Sequence, residues 1–352
     1  MGAPTIPAGS TTVEPTLPVA VSTKRDSRFP VLWFLARRIG AGIVTLWVVS
    51  VLIFLCCSVL PGDAVTVVLG KSGTPEVIAA IKARMGLDHP LVQQYWDWIT
   101  GLFRGDFGDS AVALVQQQPD PSIAHTLHDP LINSFILGTT AAVLLVPITV
   151  ILGAVAGIKA NKALDHIISL PSLILAGLPE FVSGALLIWL FFTTLHVLPP
   201  VSLVAPGASP LGDPKILILP VATLLLVAVG SGVRQVRLGM IDVLQTDFIQ
   251  FARLNGVAEG RVLMRYGVRN AIANSIQTIA QNLQYLVGGI IVVEAVFTYP
   301  GIGVYLVQAV LARDTPKVLA ASIILAAFYT LLNIIADLIV VFLVPKLRTE
   351  LI

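Results

Sequence analysis

Gly70-Lys71-Ser72, within VTVVLGKSG, is the triplet that closes a phosphate-binding loop, in which backbone N–H groups and a lysine cradle a nucleotide's phosphates. Such a loop also needs a strand before it and a leading glycine five positions upstream. Val65 stands at that position and no strand pattern precedes it, so no nucleotide chemistry is expected. PGIGVYL fails as a dinucleotide fingerprint for a similar reason, since Leu306 replaces the third glycine. The five histidines are scattered, and no metal-protease pair, zinc ligand set or Ser/His/Asp constellation is visible. Cys56 and Cys57 adjoin; sequence neighbours rarely bridge each other, so they read as free, buried thiols. No catalytic, cofactor-binding or metal-binding residues are expected, and the chain itself is not an enzyme. What remains are polar side chains embedded in apolar runs: Glu180, Glu294, Asp337, Asn282, and the trio Gln277, Gln281 and Gln284. A carboxylate at the centre of a membrane helix costs about 3 kcal/mol or more, so such a group faces an interior rather than lipid. These groups can bind, line or pack.

The elements that must position them are long and apolar. The chain has 352 residues, of which 56% are hydrophobic and only 12% charged, against roughly 25% charged in soluble domains. Its mean hydropathy is +0.88. That composition places it in a membrane, and a net charge of +2 gives no sign of a nucleic-acid partner. A helix crosses a bilayer with about 20 apolar residues. Six runs qualify: Ile39 to Leu60, Pro130 to Ile158, Ile167 to Leu198, Ile216 to Val233, Ala271 to Val293, and Val318 to Val344. The expected fold is therefore an all-α integral membrane protein. Its parts are a tail at 1–36, a first helix at 37–60, an extracytoplasmic segment at 61–129, a five-helix core at 130–345 containing a polar loop at 235–270, and a short C-terminus at 346–352.

Lys and Arg set the orientation. With the N-terminus inside, 15 of the 22 fall on the cytoplasmic side and 7 outside, which puts both termini in the cytoplasm. No cleavable signal peptide is visible, because the first apolar run spans a bilayer and lacks a small-residue cleavage site. Outside, HPLVQQYWDWITGLFRGDFGDS spaces Leu91, Tyr95, Trp98 and Leu102 along one helix face. With Trp96 and Phe103 this predicts a helix at the membrane–water boundary, either packed on the ends of the spans or receiving a delivered substrate.

One stretch fits neither lipid nor loop. DFIQFARLNGVAEGRVLMRYGVRNAI, from Asp247 to Ile272, is too apolar for a connector and too charged for a span. Thr246 and Asp247 are helix starters and Gly256 suits the position after a helix end. Phe248, Phe251 and Ala252 are expected on one side, with Gln250 and Arg253 elsewhere. A second basic helix carries Arg261, Arg265 and Arg269. Exposed phenylalanines rimmed by charge mark a protein interface; the alternative is an amphipathic hairpin resting on the inner leaflet.

At this point the residues resemble a known family. RLGMIDVLQTDFIQFARLNGVAEGRVLMRYGVRNAI is similar to the cytoplasmic coupling loop of the permease subunits of dipeptide, oligopeptide and nickel ABC importers, whose Ala, three residues, then Gly is matched by Ala252 and Gly256. RRIGAGIVTLWVVSVLIFLCCSVLPGDAV resembles the family's first span, MGLDHPLVQQYWDWITGLFRGDFGDS its outer segment, and VVEAVFTYPGIGVYLVQAVLARDTPKV the stretch between spans five and six. The likeness covers roughly residues 35–350. Gln250-Phe251 stand where the wider superfamily often has Glu-Ala, and Val344-Pro345 where this family often has Asp-Pro.

The resemblance implies a type I importer permease in a bacterial cytoplasmic membrane. It implies a second homologous permease as heterodimeric partner, two ATPase subunits that bind ATP and Mg below, and an extracytoplasmic solute-binding protein above. It also implies that Asp247, Phe248, Phe251, Ala252, Arg253 and Gly256 contact an ATPase. Along the path, Glu180, behind Pro179 in AGLPEFVSGALL, either meets a peptide's amino end or bonds a neighbouring helix. Gln277, Gln281 and Gln284 line either a wet channel or a helix contact. Gly288 and Gly289 allow close packing, and Glu294 and Asp337 read as boundary or packing groups. A peptide is the expected cargo, with nickel or another small solute as the alternative. An ion-coupled secondary carrier using Glu180 as a relay is the rival of another class, but no internal repeat of the kind such carriers show is detectable. A non-transporting membrane scaffold fits the span-wide likeness poorly.

Overall fold

The computed structural model describes residues 30–59, 75–205 and 207–343. Residues 1–29, Gly70-Lys71-Ser72 and the segment 346–352 lie outside the described residues. In chain order the helices are α1 (Pro30–Val59), α2 (Pro75–Arg84), α3 (Leu91–Phe103), α4 (Ala111–Val115), α5 (Ile123–Ile158), α6 (Ala163–Ala176) and α7 (Glu180–Ile188). There follow α8 (Lys215–Leu244), α9 (Asp247–Leu254), α10 (Glu259–Arg261), α11 (Arg269–Phe297), α12 (Ile302–Leu311) and α13 (Thr315–Leu343). Among the described residues there is no strand, only an isolated bridge between Asp109 and Ser122.

Five of these helices are long and apolar enough to cross a membrane, and α6 with α7 makes a sixth if the bent pair counts as one. Five of the expected spans are thus single helices. The third is not: instead of one run from Ile167 to Leu198, the chain turns by 113° between α6 and α7, and a π-helical stretch, Trp189–Thr194, completes α7. The break falls at Gly177-Leu178-Pro179. Pro179 precedes α7 with ψ 149° and cannot extend α6, because a proline donates no N–H and holds the residue before it out of the helical region. The first helix begins at Pro30 rather than at residue 37, and α8 runs on past Val233 to Leu244.

α8 is the hub: α5, α6, α7 and α11 all pack on it. Within a bilayer, helices gain little from excluding water, so close approach and hydrogen bonds hold them together. Both occur here. A β-carbon on Gly153 would lie 2.6 Å from Val236 Cβ, and one on Gly157 2.6 Å from Met240 Cβ, so only glycine lets α5 come this near to α8. Asp165 at the start of α6 accepts two 2.6 Å hydrogen bonds from the Arg237 guanidinium of α8, and two more from Asn161 N–H and Ser169 Oγ. The carboxylate is buried but has four donors, which is how a buried charge is tolerated.

α1 stands at the edge, packed on α13. Arg38 pairs there with Asp337, so Asp337 is a packing group as expected. Cys56 and Cys57 are free, but the expected burial fails for Cys56, which is exposed on α1, a helix with one packed side and one bare one. On α3, Tyr95 and Trp98 pack on Phe54 of α1, with ring centroids 5.4 and 6.1 Å away. Trp96 and Phe103 point outward instead, so the aromatics divide between two faces of the helix.

Candidate functional site

The polar stretch is a bracket built onto one end of the bundle, where α8 ends and α11 begins. α9 is anchored by Ile249, fully buried against Met240 and Val243 of α8, Val262, and Ala271 of α11. Asp247 sits in its first turn, where a carboxylate complements the exposed N–H groups. Thr246 does not cap α9 as its type predicts: its hydroxyl donates backward to Val243 C=O at 2.6 Å, closing the end of α8.

The turn out of α9 is decided by Gly256, whose φ of +75° is a left-handed conformation that L side chains avoid. Val257 N–H donates to Ala252 C=O (3.2 Å) and Gly256 N–H to Arg253 C=O (3.0 Å). This is the Schellman arrangement, and its usual apolar contact is supplied by Ala252 and Val257 in one cluster. Arg253 then reaches across the turn to Glu259 with bonds of 2.7 and 3.1 Å. The hydrogen bond from Arg253 holds the Glu259 carboxyl below its ordinary value, and the same bond raises Arg253.

This geometry corrects one expectation. Ala252 does not share a face with Phe248 and Phe251; it turns inward beside Ile249 and packs on the α8–α11 cluster. The outward ridge is Phe248 (45% exposed), Phe251 (68%) and Leu254 (86%), spaced at every third residue. Leu254 was missed, although that spacing signals it. The second basic helix is also not separate. α10 runs through a π-helical segment, Val262–Val268, directly into α11, so the second arm of the bracket and the fifth span are one continuous rod. Arg261, Arg265 and Arg269 are exposed along it.

The side chains expected along a path lie farther along α11 and on α7. Gln277, Gln281 and Gln284 share one side of α11, the first two exposed and the third half-buried, and Tyr285 and Gly288 continue that side. Asn282 belongs to the opposite side: it is buried and accepts a hydrogen bond from Ser231 of α8 (2.8 Å). Glu180 is the first residue of α7, and the Tyr285 hydroxyl faces its carboxylate. Its Oε1 would lie 3.3 Å from a β-carbon on Gly289, so that glycine leaves room for it. Gly288 has open space instead, and the expectation of close packing holds for Gly289 alone.

Glu294 is a packing group, and an elaborate one. It is fully buried, accepts from Ser134 Oγ of α5 and takes the N–H groups of Gly303 (2.7 Å) and Val304 (3.4 Å) at the start of α12. A carboxylate on the free N–H groups of a helix start is a favourable pairing. Tyr299 and Asn133 complete the knot: Tyr299 Oη donates to Asn133 C=O (2.8 Å) and Asn133 Nδ2 to Pro300 C=O (2.9 Å). The family-like string EAVFTYPGIG is thus a structural clasp.

The bracket thus presents an apolar ridge on a mount packed into the bundle. The chain belongs to the family of inner membrane components of binding-protein-dependent transport systems: residues 149–349 match that family and residues 31–122 match its N-terminal component. It is therefore a multi-pass inner membrane protein and an ABC importer permease, which is not itself an ATPase. A protein of Brucella abortus named as a peptide transport system permease is 32% identical over 314 residues, 89% of this chain and 98% of the relative. The glutathione transport system permease protein GsiC of Escherichia coli K12 is 31% identical over 315 residues, 90% of this chain and 98% of the relative.

Proposed function

We propose that this chain is one half of the membrane pore of an ATP-driven importer for di- or oligopeptides. The single observation that carries the reading is the ridge of Phe248, Phe251 and Leu254 on α9, which is anchored by Ile249 against α8 and the arm that runs into α11. An exposed apolar ridge next to the charged Arg253–Glu259 pair fits a protein groove. Two ATPase subunits, which hold ATP and Mg, grip these ridges from the cytoplasm, and their closure swings α11 as a lever. That is a rigid-body switch between two packings. An even number of crossings, with the α6–α7 pair counted as one of six, and the excess of Lys and Arg on the inner segments support both termini on the cytoplasmic side.

A second, related permease completes the path, and a solute-binding protein delivers cargo from outside. The names of the relatives, peptide and glutathione transport permeases, favour a peptide as that cargo. Glu180, Gln277, Gln281 and Gln284 line the path in this reading. The test is Phe251→Asp: the protein inserts normally but no longer retains the ATPases in a pull-down. Normal retention overturns the assignment.

A further inference from the structure

Glu180 is a carboxylate with no matching cation. It lies on α7 against Leu224 of α8 and Gly289 of α11. Gly289 is eight residues from the outer end of α11 at Phe297, about 12 Å along a helix, so the group sits at bilayer depth. Carboxylates at that depth pair with a cation or with donors that satisfy them. Asp165, Asp337 and Glu294 follow the rule: Asp165 has Arg237, Asp337 has Arg38, and Glu294 has Ser134 with two N–H groups. Among the described residues no Lys, Arg or His pairs with Glu180, whose polar neighbour is the Tyr285 hydroxyl.

The helix start offsets part of the cost of the charge and leaves the rest. The group is half-buried, and its neighbour Tyr285 lies with Gln281 and Gly288 on the uncovered side of α11. Gly289 lets the carboxylate come close to α11: a methyl group there would press on both Glu180 and Leu224 at 3.3 Å. One carboxylate and a phenol make too few ligands for a divalent metal, and among the described residues no group of three His, Cys, Asp or Glu forms a metal set.

We infer that Glu180, positioned by Gly289 and oriented by Tyr285, is a station that pairs with a primary ammonium on the cargo as it passes the bend between α6 and α7. The inference rests on the proposed path and adds the chemistry it selects: a cationic nitrogen held by a charge-assisted hydrogen bond while the rest of the cargo lies against the glutamines.

The test uses the whole complex in proteoliposomes and cargoes that the wild type carries: a peptide with a free amino end, its N-acetylated form, and an N-acetylated peptide with a lysine side chain. Glu180→Gln is expected to slow the free-amino peptide roughly tenfold, the loss of one charged hydrogen bond, and to leave the N-acetylated peptide unchanged. A matching fall for the lysine peptide shows that any primary ammonium is read; no fall there restricts the station to the amino end. Glu180→Asp restores part of the rate, and Tyr285→Phe, a milder change, reduces it in the same cargo-dependent way. Equal losses for all cargoes, or none, overturn the inference. Failure of the wider reading looks different: wild-type uptake then persists without ATP.

Discussion

The Glu294 carboxylate fills the space that a β-carbon on Gly301 would need: Oε1 would lie 2.0 Å from it. No rotamer adjustment relieves this easily, because the same carboxylate is held by Ser134 and by the N–H groups of Gly303 and Val304. Gly301→Ala is therefore expected to destabilise the clasp between α5, α11 and α12 by about 1–3 kcal/mol, the usual cost of overpacking. Glu294→Ala leaves those N–H groups buried without a partner, which costs about 1–3 kcal/mol by itself. Thermal unfolding of the purified protein checks both, each variant melting below wild type.

Arg237 and Asp165 form the buried pair that ties α6 to α8. Removing one partner from such a pair costs about 3–5 kcal/mol, because the other is left charged and unmatched. Arg237→Ala is expected to be far more damaging than the double change Arg237→Gln with Asp165→Asn. Comparing the yields and melting points of the three proteins decides the matter; equal losses for single and double changes contradict it.

Gly256 and the ridge separate fold from coupling. Gly256→Ala forces a β-carbon onto φ +75°, at a cost of about 1–2 kcal/mol, and loosens the Schellman turn. Leu254→Asp leaves that turn alone and changes only the exposed ridge. The expected outcome is normal membrane insertion for both, with ATPase co-purification lost for Leu254→Asp and weakened for Gly256→Ala.

The Arg253–Glu259 pair gives the turn a pH dependence with a definite sign. Its carboxyl is held below the ordinary 4.5 by the hydrogen bond from Arg253, so its contribution is present above that value and is lost as pH falls through the lowered one. Spin labels replacing Gln250 and Arg261 are expected to report a narrow distance at pH 7 that broadens in acid. With Glu259→Gln the distribution is broad at both pH values. A distribution that stays narrow in acid contradicts the account.

Five of the six spans were legible because a bilayer demands about 20 apolar residues in a row, a signal that needs no tertiary context. The third misled because Gly177-Leu178-Pro179 is itself apolar, so hydropathy continues across a break that only backbone geometry reveals. Gly256 was readable from its type, since few residues accept its conformation. Ala252 was misplaced because an alanine carries almost no amphipathic signal; Ile249 beside it, buried against α8 and α11, fixes the rotation of α9. The role of Glu294 depends on Gly303 and Val304 across a turn, contacts that spacing alone does not disclose.

The most direct measurement is uptake by proteoliposomes holding the complete complex, with the binding protein and a labelled peptide outside and ATP supplied to the ATPase face. Uptake is predicted to require ATP, to fall to background with orthovanadate, and to vanish when Phe251 is replaced by Asp. Full-rate uptake by vesicles containing this chain alone, without ATP, would contradict the account.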